Sequence, residues 1–248
     1  MKIYVVSDSH FGSDNGRIPS SEREKLFVEF LEKARGDADR LILLGDIFDF
    51  WFEYKHVIPS HFFRILKALD NFAAHIETHF VAGNHDLWVD GFIESLNIAV
   101  HRDCLELVMD GRRLFFAHGD KLRNTDLGGK TVRFLLSNKI SIALFWLIHP
   151  DLAYEIARFA SNASRRRSSS ISIPSNPMPS AAAAIFDEGF DLVSLGHTHI
   201  PYLDYVKNGI FLSTGDWYHN FNYSVITEDG VELNWYLTGE KKKLKWPT

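Results

Sequence analysis

Five short polar fragments contain the residue types that bind divalent metal ions, which are aspartate, asparagine and histidine. Each fragment directly follows an apolar run, and they begin at Asp8, Gly45, Gly83, His118 and Gly196. An apolar run that ends abruptly in such residues is typical of a buried strand in a sheet with parallel strands. Open α/β sheets place their chemistry at the carboxyl edge of those strands. The fragments therefore predict one site at one sheet edge.

Together the fragments supply two sets of ligands for hard divalent cations, which bind carboxylate and amide oxygens and imidazole nitrogens. One ion would bind Asp8, His10, Asp46 and His199. The other would bind Asp46, Asn84, His118 and His197. Asp46 is shared because one carboxylate can bridge two ions roughly 3.5–4 Å apart, and such a pair activates a bridging hydroxide for in-line attack on phosphorus. The pattern predicts a two-metal phosphoesterase.

Three further residues lie beside these ligands in the sequence. His85 follows Asn84 but exceeds the ligand count. We predict that it contacts the phosphoryl oxygen and protonates the leaving group, because histidine titrates in the useful pH range. Asp86 and Asp120 are predicted to orient His85 and the ligand imidazoles through the second ring nitrogen. A lone Asp-x-His or Gly-Asp would indicate only a solvated turn, whereas five ordered fragments at strand ends favour a metal site.

The strands and helices that position the fragments follow from periodicity. Strands that feed fragments are predicted at Lys2–Ser7, Arg40–Leu44, Thr78–Ala82, Arg113–Ala117 and Asp191–Leu195. Ser21 and Glu24 form a capping-box signature for a first helix, and a second helix is predicted at about 59–74. Three hairpins are predicted, with turns at Asp110-Gly111, Asn208-Gly209 and Asp229-Gly230. Early strands separated by helices and late hairpins predict an α/β fold with two mixed sheets packed face to face and helices outside.

Residues 121–189 interrupt this pattern. Nearly seventy residues are too many for a loop in a compact domain, so we predict an inserted helical lid, with residues 1–120 and 190–248 as the core. The apolar segment Val132–Ile148 has two interpretations. It is a buried lid helix, or else it contacts lipid, by lining an acyl-chain groove or by dipping into a bilayer surface with basic residues at headgroup level. Those basic residues are Arg133, Lys139 and Arg158.

Two other segments also keep two interpretations. The run Arg165–Arg167 is either a solvated turn or a clamp for a diphosphate, for which the arginine fork is suited. Trp51, Phe52 and Tyr54, just after Asp46, either cover the core or wall a pocket for a nucleobase or a lipid.

Composition limits the classes of function and location. The net charge of −5 over 248 residues argues against a nucleic-acid reader, which needs a basic surface. Cys104 is the single cysteine, so a reducing compartment is expected. No basic-then-apolar leader precedes the first strand, and the longest apolar run, Ile140–Ile148, is shorter than the roughly 20 residues of a transmembrane helix. We expect a cytoplasmic protein that can rest peripherally on the cytoplasmic face of the inner membrane.

The five motifs, which span Asp8 to His199, resemble those of the calcineurin-like metallophosphoesterases. Within that superfamily the chain is similar to the UDP-2,3-diacylglucosamine pyrophosphohydrolases of lipid A biosynthesis, in the segment Gly45–Trp51 and in a helical insert before Gly-His-x-His. The resemblance implies a four-layer αββα sandwich and a dimanganese site, with iron or zinc as alternatives. It also implies cleavage at the α-phosphorus to UMP and 2,3-diacylglucosamine 1-phosphate, with the acyl chains held between lid and core.

The resemblance further assigns substrate contacts, while implying no protein partner. They are Asn84, His85, Asp126, Ser164, Arg165, Arg167 and His197. The chain departs from many of these hydrolases at His85, where they carry arginine and the wider superfamily carries histidine. Two other hypotheses therefore stay open: a phosphoesterase for a nucleotide, a cyclic phosphodiester or another lipid diphosphate, and a non-catalytic scaffold. The filled ligand positions argue against the scaffold.

Overall fold

Two mixed β-sheets pack face to face, with helices on the outside, in a computed structural model that describes residues 1–89, 91–122, 138–159 and 179–247. The first half of the chain contains β1 (Ile3–Val6), α1 (Ser20–Ala34), β2 (Arg40–Leu43), α2 (Phe63–Ala73), β3 (Glu77–Val81), α3 (Gly91–Ser95), β4 (Ile98–His101), β5 (Leu105–Met109) and β6 (Arg112–Ala117). The second half contains α4 (Lys139–Phe145), α5 (150–159), α6 (Pro179–Phe186), β7 (Leu192–Leu195), β8 (Pro201–Val206), β9 (Gly209–Thr214), β10 (Asn222–Thr227), β11 (Gly230–Trp235) and β12 (Lys241–Lys245).

The strand order explains why the polar fragments meet. The larger sheet has the order β12-β11-β10-β1-β2-β3-β4, in which β1 to β4 are parallel. The smaller sheet has the order β5-β6-β7-β9-β8, in which β6, β7 and β9 are parallel. Every strand that feeds a predicted fragment is one of these parallel strands, so their carboxyl ends share one edge of the sandwich.

The core lies in layers on both sides of the larger sheet. Alternate residues of β1 show this: Ile3 and Val5 pack between the two sheets, whereas Tyr4 and Val6 pack under the helices. A parallel strand covered on both faces is apolar throughout, as β1 is. On the outer face of the smaller sheet, α6 packs through Ile185 and Phe186, although the prediction placed it within the insert. The predicted α/β class and αββα layering are confirmed.

Three local features differ from the sequence prediction. The predicted capping box is wrong, because α1 begins at Ser20, after Pro19, and has no side-chain cap. The N–H of Ser20 instead donates to Asp14 on the preceding loop, over 3.0 Å. The predicted second helix begins as a 3₁₀ turn at Ser60–Phe62. Strands β4 and β12 were not predicted, and β12 is a lysine-rich edge strand of the kind that resists pairing with other chains.

The described part of the chain contains no helix that is both long and apolar enough to cross a bilayer.

Candidate metal centre

The loops that follow the parallel strands are joined to one another by main-chain hydrogen bonds. The N–H of Asp8 donates to the carbonyl of Gly45, and that of His10 donates to the carbonyl of Asp46, each over 3.0 Å. The loops after β6 and β7 are joined in the same way, because Gly196 N–H donates to the carbonyl of His118 over 3.0 Å. Pairing therefore continues past the strand ends and holds the fragments side by side.

Most of the predicted ligands have an uncommon backbone conformation. The left-handed φ values are 51° for Asp8, 44° for His10, 51° for Asp46, 69° for His197 and 57° for His199. Left-handed residues other than glycine are uncommon, and strained backbone clusters at functional sites. Here the chain turns sharply at each strand end, and the side chains of different strands are directed to one region.

The first predicted ligand set forms one group at this edge. The Oδ1 atom of Asp8 lies 3.3 Å from Nε2 of His199. The Nε2 atoms of His10 and His199 lie 3.2 Å apart. Ligand atoms of these three residues all lie within 4.8 Å of one another, as a shared ion requires.

The second predicted set forms an adjacent group that includes Asp46. Ligand atoms of Asp46, His118 and His197 also lie within 4.8 Å of one another. The Oδ2 atom of Asp46 is 3.3 Å from Nε2 of His118 and 3.9 Å from Nε2 of His10. One carboxylate oxygen of Asp46 therefore faces a member of each set, which is the position that a bridging ligand needs.

The residues present fit two divalent cations. The Oδ1 atoms of Asp8 and Asn84 are buried and make no hydrogen bond within the described structure, and burial of an unpaired acceptor costs about 1–3 kcal/mol. Burial lowers the pKa of His118, but the Asp46 and Asp8 carboxylates outweigh this effect and raise it to about 10. Burial raises the pKa of Asp46, yet His118 and His85 hold it well below its usual range. The carboxylates of the cluster thus favour neighbouring positive charge, which bound cations would supply.

The other ring nitrogen of three ligand histidines, His118, His199 and His10, faces an acceptor. Nδ1 of His118 donates to the carbonyl of Leu44 over 3.0 Å. Nδ1 of His199 lies 3.4 Å from Oδ2 of Asp216, and Nδ1 of His10 lies 3.7 Å from Oδ1 of Asp49. Partners of this kind fix the ring and leave Nε2 for the metal.

Comparison with known proteins agrees with this geometry. The family model described as calcineurin-like phosphoesterase matches residues 1–201. The chain belongs to this family. It is 32% identical over 180 residues to the UDP-2,3-diacylglucosamine hydrolase of Porphyromonas gingivalis, covering 70% of this chain and 68% of that one. It is 26% identical to the enzyme of the same name from a Shewanella species (strain ANA-3), covering 94% and 97%.

A solved structure shows the same fold. The phosphoesterase Yfce from E. coli matches with a TM-score of 0.51 at 14% identity, covering 99% of this chain and all of that chain. The resemblance inferred from the sequence motifs is confirmed, and the protein is a hydrolase of a family that uses divalent metal ions.

Two residues of this phosphoesterase that support the centre were not predicted. Asp216 holds His199 and also accepts the N–H groups of His219 and Asn220. It follows β9 as Gly215-Asp216, the same strand-Gly-Asp pattern as Gly45-Asp46, so the sequence did carry a signal for it. Asp49, which faces Nδ1 of His10 and accepts from His85, is the other support, and the sequence analysis assigned it no role.

Arg23 is a third support that sequence reasoning missed. Its guanidinium is buried and donates to the carbonyls of Ile18, His10 and Ser13 over 2.7, 3.1 and 2.5 Å. It also lies 4.7 Å over the ring of Tyr218. Arg23 thus braces the loop behind His10, and no local pattern in the first helix indicates that this position is buried.

Asp86 binds main chain in this phosphoesterase, whereas the sequence prediction had it orienting imidazoles. Its carboxylate accepts the N–H groups of Gly83 and Ile47, each over 2.7 Å, and that of Asp46 over 3.2 Å. Burial and the neighbouring Asp46 carboxylate raise the pKa of Asp86 to about 7. Asp86 therefore ties the loop after β2 to the loop after β3.

The loops approach so closely that two positions accept only glycine. A Cβ atom on Gly83 would collide with the carboxylate of Asp46 and lie 2.5 Å from its main-chain nitrogen. A Cβ atom on Gly196 would lie 2.8 Å from Oδ2 of Asp8. These glycines explain why the Gly-Asn-His-Asp and Gly-His-x-His fragments begin as they do.

His85 is oriented by two hydrogen bonds. Its main-chain N–H donates to Oδ1 of Asp46 over 2.8 Å, and its ring nitrogen Nδ1 lies 2.7 Å from the carbonyl of Asp49. A carbonyl only accepts, so Nδ1 carries the proton and Nε2 is the reactive nitrogen of the neutral ring. The ring centre lies 4.8 Å from that of His10, and His85 also falls within 4.8 Å in a group with His10 and Asp46.

The remaining predicted site residues have separate outcomes. Asp120 is half-buried two residues after His118, and its orienting role stays a prediction. Asn84, His85 and His197 lie at the centre. Four predicted substrate contacts lie outside the described residues: Asp126, Ser164, Arg165 and Arg167.

Proposed function

We propose that this phosphoesterase hydrolyses the diphosphate of UDP-2,3-diacylglucosamine to UMP and 2,3-diacylglucosamine 1-phosphate. The observation that carries the proposal is the pair of adjacent ligand groups, with Oδ2 of Asp46 facing a histidine of each and with His85 beside them. The names of the Porphyromonas and Shewanella relatives support the choice of substrate.

The ligand sets read from the sequence would hold two divalent ions, and we propose manganese, with iron or zinc as alternatives. When bound, the ions would neutralise charge on the diphosphate and lower the pKa of the attacking water. The protein contributes fixed geometry. Asp8 accepts the N–H of His197 over 3.0 Å, which orients its carboxylate, while Asp216 and the Leu44 carbonyl hold the imidazoles of His199 and His118.

His85 is the proposed acid at this site. Because the Asp49 carbonyl fixes Nδ1, the ring presents Nε2 toward the region shared with His10 and Asp46. A protonated Nε2 would contact a phosphoryl oxygen and donate its proton to the leaving group. A sugar phosphate leaves readily without a proton, so for a diphosphate the contribution of His85 is mainly charge neutralisation.

His85 also favours a second candidate. Because an imidazolium can protonate an alkoxide, the same centre suits a phosphodiester, including a cyclic phosphodiester or a nucleotide. A panel of substrates separates the two candidates, because only the first requires the uridine diphosphate lipid.

The decisive experiment incubates the purified protein with manganese and UDP-2,3-diacylglucosamine and measures UMP release by liquid chromatography. We expect UMP from the wild type and none from Asp46→Asn. Absence of UMP together with rapid cleavage of generic phosphodiesters would reject the lipid substrate in favour of the second candidate.

We further propose that α4 and α5 contact the cytoplasmic face of the inner membrane. Half of the large apolar residues that are exposed in the described structure fall within residues 144–159. They are Leu144, Trp146, Leu147, Leu152, Ile156 and Phe159. Co-sedimentation with phosphatidylglycerol vesicles tests this contact, and we expect Leu147→Glu combined with Phe159→Glu to abolish it. Equal sedimentation of wild type and variant would reject the contact.

A further inference from the structure

The end of α4 sits in a group of aromatic rings on the core. We call Phe50, Phe52, Tyr54 and Trp88 the aromatic socket. The ring of Phe145 lies 4.7 Å from Trp88, 5.6 Å from Phe52, 6.3 Å from Phe50 and 6.4 Å from Tyr54, between ring centres. Aromatic pairs at such distances are stabilising beyond the area that they bury. One side chain of the predicted lid is thus held by four of the core.

Hydrogen bonds also join the socket segment to the chain at the end of α4. The hydroxyl of Tyr54 donates to the carbonyl of Ile148 over 2.7 Å, and the carbonyl of Phe145 lies 3.2 Å away. The indole N–H of Trp146 donates to the carbonyl of Glu53 over 3.0 Å. The Phe145 carbonyl also accepts the N–H of Ile148 over 3.0 Å, so Tyr54 binds the hydrogen-bonded turn that directly follows α4.

The socket is built on the same two loops that carry the metal centre. Phe50 directly follows Asp49, whose carbonyl fixes the ring of His85. Trp88 lies three residues after His85 in the sequence. The N–H of Trp51 donates to the carbonyl of His85 over 3.2 Å, which joins the two loops. The docking point of α4 is therefore fixed relative to the phosphoryl-binding residues.

The second helix of this pair also contacts the core near the centre. The ring of Tyr154 in α5 lies 4.7 Å from the ring of His61, which precedes α2. Tyr154 and Arg158 border a small cavity together with Gly12 and Asp49. Residues 138–159 thus touch the core on two sides of the loops that hold the ligands.

We infer that the aromatic socket fixes α4 and α5 beside the metal centre, and that Tyr54 is a positioning residue that makes the enzyme selective for a large lipid-bearing substrate over a small phosphodiester. The selectivity part rests on the proposed function. A small diester needs only the ions and their ligands. A long substrate must also be held in place by a wall at constant distance from the reacting phosphorus, because misplacement lowers the rate.

Hydrogen exchange tests the docking without any substrate. Amide exchange of residues 142–148 is compared in the metal-loaded wild type, Tyr54→Phe and Phe145→Ala. We expect about fivefold faster exchange in Tyr54→Phe, the usual effect of one lost hydrogen bond. Phe145→Ala should give roughly thirtyfold faster exchange, because it empties the socket. The matched control is Tyr205→Phe, which removes a hydroxyl that donates to the Lys245 carbonyl over 2.8 Å. Unchanged exchange in Phe145→Ala would overturn the docking role.

The ratio of two activities tests the selectivity. We compare kcat/KM for UDP-2,3-diacylglucosamine with kcat/KM for bis(4-nitrophenyl) phosphate. In Phe145→Ala the ratio should fall at least about tenfold through a higher KM for the lipid, with diester turnover unchanged, since fewer molecules are competent to bind. Tyr54→Phe should also lower this ratio, but by less than Phe145→Ala does. Equal losses on both substrates, or an unchanged ratio with faster exchange, would overturn the selectivity role. A wild type that cleaves only the diester would reject the proposed function, while the exchange data would still decide the docking.

Discussion

The loops of the metal centre and the helices α4 and α5 are built in opposite ways. Asp8 and Asp86 are fully buried, and each accepts at least one main-chain N–H from another loop. By contrast, Leu147 is 82% exposed and Phe159 is 77% exposed, and the contacts of α4 with the core are concentrated at Phe145 and Trp146. The same chain thus contains one region of buried, closely packed polar groups, some of which still await a metal ion, and another with large apolar groups facing outward.

Because of this difference, substitutions in the two regions should have different effects. At the centre, geometry is fixed by tight approach and left-handed backbone, so small changes should have large effects on chemistry. In α4 and α5, exposed apolar surface is available for a ligand or a membrane, and most single substitutions should leave the fold intact.

The largest effect is expected for Asp46→Asn. Because Oδ2 of Asp46 faces both ligand groups, the variant should lose turnover by at least about a thousandfold and should also lose bound metal. Metal content after gel filtration, measured by mass spectrometry beside the rate, checks both parts. The control is Asp187→Asn, an exposed carboxylate that pairs with Lys207 and belongs to no ligand loop. Equal metal content in wild type and Asp46→Asn would contradict the bridging role.

His85→Ala should lower kcat by about a hundredfold or more, the range for loss of one group that stabilises charge in the transition state. Metal content should not change, because the two ligand sets are complete without His85. His75→Ala, at an exposed histidine, is the matched control. If metal is lost together with activity, His85 is a ligand and not the proton donor.

Much of the centre could be predicted because its signals are local in the sequence. An apolar run followed by Gly-Asp or Gly-Asn-His-Asp marks both the strand and the ligand, and parallel strand ends must meet at one edge. The capping box failed because α1 begins at Ser20, one residue before the predicted cap, and Asp14 on the preceding loop accepts the N–H of Ser20. Strand β4 has only four residues, three of them apolar, which is too short a run to mark a strand, and the lysine-rich β12 lacks the apolar pattern on which strand prediction depends.

Supporting residues were harder to predict than ligands. Arg23 looks like a solvated helical position, and only the fold brings the carbonyls of the preceding loop around its guanidinium. Asp86 binds main-chain N–H groups because two loops approach closely at Gly83, which spacing along the chain does not reveal. Residues that support metal ligands are brought to them by tertiary contacts, whereas the ligands themselves are visible as sequence motifs.

Asp216→Asn should have an intermediate effect. Loss of a carboxylate that orients a ligand histidine lowers metal affinity by about 10- to 100-fold. The asparagine oxygen can still accept the N–H groups of His219 and Asn220, so the free energy of unfolding of the metal-free protein should change little. Calorimetric titration with manganese measures the metal affinity, and Asp204→Asn is the control variant. An unchanged affinity would show that His199 needs no orientation from Asp216.

The smallest effect on stability is expected in α4 and α5. Leu147→Ala should change the free energy of unfolding by less than about 0.5 kcal/mol, because the side chain is 82% exposed in the described structure. The same substitution at Leu212, which is fully buried between the sheets, should cost about 2–5 kcal/mol. Urea unfolding of the two variants compares an identical loss of atoms in the two regions. A cost above about 2 kcal/mol for Leu147→Ala would mean that this residue packs against the protein itself, and the exposed face would then be unavailable to a membrane or a lipid.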